Sequence, residues 1–234
     1  MASASVDLAV SLKDVQFSYR AGKKILDIPH LEIAAGERVF LFGPSGSGKT
    51  TLLGLLTGVL TAQQGSVGIL GRDLAKMSGS QRDAFRGSHL GYIFQLFNLI
   101  PYLSVIENIT LPCRLHAERR KRLKGSMDDE ARAISKRLGI EGLLSENVVN
   151  LSVGQQQRVA AARSLMGAPE LIVADEPTSS LDFDHRERFI ELLFDCVAQA
   201  NATLLFVSHD RSLMPMFSRA LSLPEVNRIQ VAAA

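Results

Sequence analysis

The feature that most constrains this chain is residues 43–50, which read GPSGSGKT. Residues 37–42, which include the apolar run 39–42, precede the segment and predict a buried strand, and a helix-like stretch over residues 49–56 follows it. Strand, glycine-rich loop and helix in this order are typical of a nucleotide-binding α/β unit. The loop also matches the pattern G-x-x-x-x-G-K-[ST] at every fixed position, so a chance glycine-rich turn is a poor explanation.

The chemistry of phosphate binding explains each residue type in this loop. Consecutive backbone N–H groups in a tight loop form a concave donor nest for a triphosphate, and glycines allow the positive φ and close approach that it needs. The Lys49 ammonium can reach the β- and γ-phosphates, and the Thr50 hydroxyl can ligate Mg²⁺. The sequence therefore predicts a nucleotide site whose loop residues are Gly43, Pro44, Ser45, Gly46, Ser47, Gly48, Lys49, Thr50 and Thr51.

A pair of acidic residues follows a second apolar run. Residues 171–174 are all apolar and end in Asp175 and Glu176. The carboxyl end of a parallel strand is where α/β sheets bind ligands, and alternation along a strand would send the two carboxylates to opposite sides. Asp175 suits the outer sphere of Mg²⁺ and Glu176 suits polarisation of the attacking water. The alternative is an ordinary polar strand end, which the presence of the phosphate loop disfavours.

A third segment, residues 151–158, reads LSVGQQQR and is similar to the LSGGQ signature of ABC (ATP-binding cassette) transporters. Its spacing predicts a helix that Ser152 and Gln155 cap at the start, where free N–H groups attract an anion. From about residue 8 to residue 210 the chain resembles the ATP-binding subunit of these transporters. The resemblance implies that Ser152, Gly154 and Gln155 bind the γ-phosphate held by an opposite subunit. Val153 departs from the family's usual first glycine, and ATP binding is expected to survive.

Four further segments resemble family motifs in the family's order. The resemblance implies that Tyr19 stacks on adenine and that Gln95 senses Mg²⁺ and a transmembrane partner. It also implies that residues 179–182 communicate across a dimer and that His209 contacts the γ-phosphate. ATP and Mg²⁺ are the expected cofactors; the expected metal-binding residues are Thr50, Gln95 and Asp175, and the expected catalytic residues are Glu176, His209, Lys49 and Gln95.

The pattern of runs predicts an α/β fold. By resemblance it is a P-loop NTPase cassette of the ABC type, with an N-terminal antiparallel β subdomain and a helical signature subdomain. We expect a single cassette over residues 1–234, with a core at about 1–80 and 165–234 and a helical insertion at about 81–164. The segments that suit helices within the insertion are residues 81–86, 117–124, 128–138 and 152–166. The basic cluster at residues 119–122 is interpreted as a solvated helix face.

Composition narrows the partners and the compartment. The 234 residues include 26 Lys+Arg and 24 Asp+Glu, a formal net charge of +2 that gives no reason to expect nucleic acid. The two cysteines, Cys113 and Cys196, are expected to be buried thiols. Residues 1–10 show no secretory-signal pattern, and no apolar run approaches the ~18 residues of a membrane span. These features predict a soluble, cytosolic chain, and the family resemblance implies a peripheral place on the cytoplasmic face of the bacterial inner membrane.

The segment after Gln95 is unusually apolar for a connection. Residues 96–105 suit either packing within the helical insertion or a groove for a transmembrane partner. Residues 97–101 with Glu107 and Asn108 resemble the MacB/LolD/FtsE branch of the family. That branch implies a homodimer around two ATP, an integral-membrane permease, and periplasmic or envelope components. The implied system is export or mechanotransmission acting on a lipid, lipoprotein, peptide or small hydrophobic substrate.

Three alternatives can be weighed against the sequence, and the first of them remains open. An FtsE-like ATPase would regulate an envelope or division machine without transport, using the same cassette. An ABC-type ATPase of DNA repair or translation would usually carry long coiled coils or two cassettes, which 234 residues do not accommodate. A small-molecule kinase would have no use for the signature at residues 151–155.

Overall fold

The computed structural model of the protein describes residues 7–20 and 22–229. Residues 1–6 of the segment assessed above for a secretory signal lie outside the described residues. The chain forms two compact units: Met1–Arg86 with Leu205–Ala234 make the first, and Gly87–Leu204 make the second. Among the residues that the structure describes, no helix is both long and apolar enough to cross a bilayer.

The first unit contains an antiparallel sheet whose strands lie in the order β2 (Lys23–Ala34), β1 (Leu8–Arg20), β4 (Gln64–Ile69) and β5 (Arg72–Asp73). Alternate residues of its long strand β1 are buried, and in one register position Leu12 faces Leu31 of β2 and Val67 of β4. This alternation is the period of a sheet with one covered face. Up to residue 86 the unit also contains strand β3 (Arg38–Phe42), helix α1 (Lys49–Leu56) and most of α2 (Gly79–His89).

Parallel strands support the phosphate loop within the first unit. Strand β3 pairs in parallel with β9 (Arg219–Ser222), which is followed by the short helix α8 (Leu223–Val226). Two aromatic rings pack against Phe40 of β3. The Phe40 ring centroid lies 6.1 Å from that of Phe206 and 5.2 Å from that of Phe217. Because Val39, Phe40 and Leu41 have no exposed surface, the strand that leads into residues 43–50 is fixed by burial.

The second unit combines helices with a parallel strand pair. Strands β6 (Leu90–Ile93) and β7 (Leu171–Asp175) pair in register, and residues 171–174 are fully buried, as the sequence predicts. The next strand, β8 (Thr203–Val207), begins in this unit and ends in the first. The helices of the unit are α3 (Val105–Leu115), α4 (Ala117–Lys121), α5 (Met127–Arg137), α6 (Val153–Leu165) and α7 (Phe183–Gln199).

Helix α3 is a feature that the sequence analysis treated as part of an apolar connection. Ser104 caps its start and Glu107 completes a reciprocal capping box, so the S-x-x-E spacing was a readable signal for a helix. Pro112 lies inside the helix and weakens the helical pattern, because proline removes a backbone donor. The apolar residues of this stretch serve partly as core, since Val105 and Ile109 are fully buried.

The interpretation of residues 119–122 as a solvated face is wrong for Arg119, and helix α4 ends at Lys121 rather than at residue 124. Arg119 is only 3% exposed. Its guanidinium donates to the carbonyls of Gly87 at 2.7 Å and Met166 at 2.8 Å, and also to that of Leu90. Burial lowers the pKa of Arg119 to about 10, so the side chain stays charged at neutral pH. Carbonyls at the ends of neighbouring elements need a donor, and this demand outweighs the cost of burying the charge.

Candidate functional site

The glycine-rich loop of the first unit has the backbone that phosphate binding requires. Gly46 and Gly48 adopt φ of 78° and 99°, and α1 begins at the next residue, Lys49. A Cβ on Gly48 would lie 2.9 Å from Leu26 Cδ2, so conformation and space both demand glycine there. The Lys49 ammonium donates to the carbonyls of Gly43 at 2.8 Å and Pro44 at 3.1 Å. The loop therefore holds the lysine ammonium against two of its own backbone carbonyls.

The same loop contains an unsatisfied polar atom. Ser47 is 3% exposed, and its Oγ is buried without a hydrogen-bond partner among the described residues. A Cβ on Gly43 would lie 2.8 Å from that oxygen. A buried hydroxyl without a partner costs free energy unless a ligand supplies one. The residues present therefore fit an anion rich in acceptor oxygens, such as a nucleotide phosphate.

Two other predicted residues lie in the first unit. The Tyr19 side chain is 62% exposed, its hydroxyl lies 3.3 Å from Thr51 Oγ1, and its ring packs edge-on against Phe17 at 5.0 Å. An exposed ring held beside α1 can stack on a planar base. His209 follows β8, and its neighbour Ser208 donates its backbone N–H to Leu41 O at 3.2 Å. His209 therefore follows a strand end that is bonded to β3 two residues before the phosphate loop begins.

In the second unit, Asp175 ends strand β7. Ile93 of β6 is in register with Ala174 of β7, so Gln95 and Asp175 leave the paired strands at the same edge. The Tyr92 hydroxyl donates to Asp175 Oδ2 at 3.4 Å. Burial first, and then the charge of Asp175, raises the pKa of Tyr92, so the phenol remains a donor at any working pH.

The next residue, Glu176, has a strained backbone. Its φ is 48°, a left-handed conformation that costs a side chain other than glycine roughly 1–3 kcal/mol and that recurs at functional sites. Strand β7 ends at Asp175, so strand alternation does not set the direction of Glu176; the turn does. The turn is held from α6, because the Gln157 amide donates to Pro177 O at 2.7 Å and is 1% exposed.

The signature segment forms the helix start that its spacing predicts. Ser152 Oγ accepts from the Gln155 N–H at 3.3 Å, and Gln155 Oε1 accepts from the Ser152 N–H at 2.9 Å. Ser152 is exposed, and Val153 is 49% exposed at the first helical position. Gly154 is half-buried, with Leu181 Cδ2 3.8 Å from the place of a Cβ. The first turn of α6 therefore presents backbone N–H groups at a surface, as an anion-binding helix start does.

Sequence reasoning missed two residues of this second unit. Tyr92 lies three residues before Gln95, but its contact with Asp175 depends on the pairing of β6 with β7. Gln157 follows the signature, and its bond to Pro177 O joins α6 to the turn of Glu176. Neither contact has a local sequence signal, because each joins elements far apart in the chain.

Comparison with known proteins agrees with this geometry. The family model described as ABC transporter matches residues 26–179. The chain belongs to the ABC transporter family, as an ATP-binding and ATP-hydrolysing cassette. The predicted family and fold, a mixed α/β cassette with antiparallel and parallel strands, are confirmed.

Particular relatives narrow the branch. The chain is 39% identical over 192 residues to the lipoprotein-releasing system ATP-binding protein LolD 2 of Rhodospirillum rubrum, covering 82% of each chain. It is 38% identical over 193 residues to LolD of Psychrobacter arcticus, covering 82% of this chain and 84% of that one. The chain also matches a solved structure of the ATP-binding cassette MJ0796, a dimer in a post-hydrolysis state bound to ADP and Pi. The TM-score is 0.80 and the identity 30%, over 96% of this chain and 97% of that one. The chain is thus an ABC transporter ATPase subunit with LolD-like homologues.

Proposed function

We propose that two copies of this chain close around two ATP molecules and thereby drive an integral-membrane permease of the MacB/LolD type. The observation that carries the proposal is the exposed, capped start of α6. Ser152 and Gln155 fix that helix start, and its first N–H groups form a second anion-binding element besides the loop that precedes α1. A single triphosphate needs the loop, whereas a triphosphate shared between two copies uses both elements.

In the proposed dimer each nucleotide contacts both chains. One chain contributes Tyr19, residues 43–51, Gln95, Asp175, Glu176 and His209, and its partner contributes Ser152, Gly154 and Gln155. The γ-phosphate supplies acceptors to both sides, so ATP binds the closed dimer more tightly than the separate chains. The dimeric structure of MJ0796, which is 30% identical to this chain, supports this assembly by similarity.

The proposed metal site consists of hard oxygen donors. The Thr50 hydroxyl, the Gln95 amide oxygen and the Asp175 carboxylate are the ligand types that Mg²⁺ prefers. Bound Mg²⁺ supplies neutralisation of phosphate charge during hydrolysis. The Tyr92 hydroxyl, 3.4 Å from Asp175 Oδ2, would restrain that carboxylate.

In the proposed reaction Glu176 orients and polarises the attacking water. Lys49 and His209 contact the γ-phosphate, and their positive or donor groups stabilise the charge that spreads over its oxygens. Cleavage separates the γ-phosphate from ADP, so the acceptor that held the α6 start of the partner is lost. The dimer then opens, and the cycle of closing and opening moves the membrane subunit.

The proposed docking surface for the permease is the apolar segment that follows Gln95. Leu96 is 83% exposed and Tyr102 is 80% exposed, both unusual values for large apolar side chains. A permease would place this subunit on the cytoplasmic face of the bacterial inner membrane. The name of the Rhodospirillum rubrum relative, a lipoprotein-releasing system protein, favours a lipid-linked substrate over a soluble one.

A single variant tests the proposal. Glu176→Gln removes the proposed base but retains hydrogen bonding, so it should bind ATP, fail to hydrolyse it and accumulate as a dimer. Light scattering after size-exclusion chromatography in Mg-ATP should report about twice the 25.5 kDa chain mass. The matched control, the exposed Glu141→Gln, should hydrolyse ATP and elute as the parent does. A Glu176→Gln protein that stays monomeric in saturating Mg-ATP, with its permease present or absent, would refute the proposal.

A further inference from the structure

The loop that follows Gln95 has an unusual backbone. Phe97 and Asn98 are consecutive residues with φ of 61° and 47°, the left-handed region that bulky side chains avoid. Phe97 is 7% exposed, so its side chain is anchored, while the preceding Leu96 is almost fully exposed. A strained backbone beside an exposed apolar residue persists only when the surroundings hold it.

The holding group is the guanidinium of Arg163. Its Nη1 donates to Asn98 O and its Nη2 donates to Phe97 O, each at 2.6 Å. A planar fork can satisfy two successive carbonyls at once, and the charge strengthens both bonds. Burial lowers the pKa of Arg163, because the side chain lies mostly out of solvent. Arg163 thus fixes both strained peptide units.

A second side chain closes the other end of the loop. Asn108 of α3 has no exposed surface, accepts from the Ile100 N–H at 2.8 Å and donates to the carbonyls of Ile100, Leu103 and Ser104. Residues 97–104 are therefore bonded to α3 at one end and to α6 at the other. Because both ends of the loop are bonded to helices, a displacement of its exposed part would also displace α3 and α6.

Arg163 lies on the signature helix itself. It is ten residues after Val153, the first residue of α6, and this separation spans about 15 Å of continuous helix. We infer that Arg163 is a positioning residue that couples the apolar loop at residues 96–103 to the nucleotide-binding start of α6. The inference rests on the proposed function and adds to it the residue through which contact with the permease and contact with ATP influence each other.

Hydrogen exchange measured by mass spectrometry on the full-length Glu176→Gln protein tests the coupling. The test variant is Arg163→Lys, which keeps the charge but loses the fork. Arg158→Lys is the matched control on the same helix, because Arg158 donates to Leu138 O at 3.2 Å and not to the loop. Without nucleotide, amides of residues 97–103 should exchange at least about tenfold faster in Arg163→Lys and at the parental rate in the control.

Adding Mg-ATP tests transmission. Amides at the start of α6 should become protected in all three proteins, whereas protection of residues 97–103 should change in the parent and the control and not in Arg163→Lys. A loop that responds to ATP equally in Arg163→Lys, or that exchanges no faster without nucleotide, would overturn the inference. Absence of protection at the α6 start in every protein would instead refute the proposed dimer, and the coupling would fall with it.

Thermal unfolding separates these results from a loss of fold. Arg163→Gln, which retains two N–H donors on one planar group, should give exchange rates between those of the parent and Arg163→Lys. If Arg163→Lys unfolds, hydrogen exchange is measured on the Arg163→Gln protein instead. Amides of residues 97–103 that exchange no faster than in the parent, or that respond equally to Mg-ATP, would again overturn the inference.

Discussion

Lys49→Ala should weaken ATP binding severely, and the structure bounds the effect. The ammonium carries three N–H donors, and two of them bond to the carbonyls of Gly43 at 2.8 Å and Pro44 at 3.1 Å before nucleotide arrives. A hydrogen bond from a charged donor contributes about 1.5–3 kcal/mol, so two bonds to phosphate oxygens are worth about 3–6 kcal/mol. Part of this gain is offset when the ammonium leaves its carbonyls. A net loss of about 2–4 kcal/mol raises Kd roughly 30- to 1000-fold.

Titration with a fluorescent ATP analogue measures this Kd. Lys49→Met, which keeps most of the aliphatic stem, should behave as Lys49→Ala does, because the charged group carries the effect. Lys76→Ala is the matched control, since its side chain is 84% exposed and pairs with Asp73 at the surface. A Kd for Lys49→Ala within about threefold of the parent would show that the ammonium does not contact phosphate, and the reasoning would be refuted.

Three further substitutions have expected outcomes. Ser152→Ala removes one bond of the capping box, which costs the helix about 1 kcal/mol. Because Ser152 is also proposed to contact the γ-phosphate, the dimer dissociation constant of Glu176→Gln in Mg-ATP should rise by more than the loss of the cap explains. Tyr92→Phe releases Asp175 Oδ2 and should raise the Mg²⁺ concentration for half-maximal ATP hydrolysis about two- to fivefold, with little change in thermal stability. Arg119→Met leaves several buried carbonyls without a donor and should lower the free energy of unfolding in urea by about 3–5 kcal/mol.

Each of these substitutions has a control on the same chain. Ser152→Thr keeps the cap oxygen, and equal dimerisation of Ser152→Ala and the parent would contradict a phosphate contact. The control for Tyr92→Phe is Tyr102→Phe, which removes a hydroxyl from an 80% exposed ring. If Tyr92→Phe needs the same Mg²⁺ concentration as the parent, Tyr92 does not restrain Asp175. Arg132→Met lies on the exposed face of α5, and a loss below about 1 kcal/mol for Arg119→Met would contradict its buried role.

Short continuous apolar runs made the fold readable from sequence. Residues 171–174 and β8 have a composition that demands cover on both faces, and the structure buries both strands. Helix α3 was missed because Pro112 weakens its pattern, although Ser104 and Glu107 mark its start. Helix bounds elsewhere differ by a few residues, as for α2, which begins at Gly79 rather than at residue 81.

The candidate site was readable in its motifs but not in its contacts. The phosphate loop and the capped start of α6 are local patterns, so spacing alone identifies them. The bond from Tyr92 to Asp175 and the fork of Arg163 join residues 83 and more than 60 positions apart, where spacing carries no information. The burial of Arg119 could not be predicted for the same reason. A basic cluster predicts exposed side chains, but its four residues carry the same charge and can still have different surroundings in the fold. The roles of the site residues and the bounds of the helical insertion stay predictions.

The two cysteines also have a practical consequence for spectroscopy. Cys113 and Cys196 are both buried, and burial raises the pKa of Cys113 and raises that of Cys196 to about 11. Thiolate is the form that alkylating dyes attack, so neither native thiol should compete for a maleimide at neutral pH. The chain also has no tryptophan. A single cysteine introduced at the exposed Leu115, or a single indole introduced beside the loop, would therefore give a signal from one known position on an unmodified background.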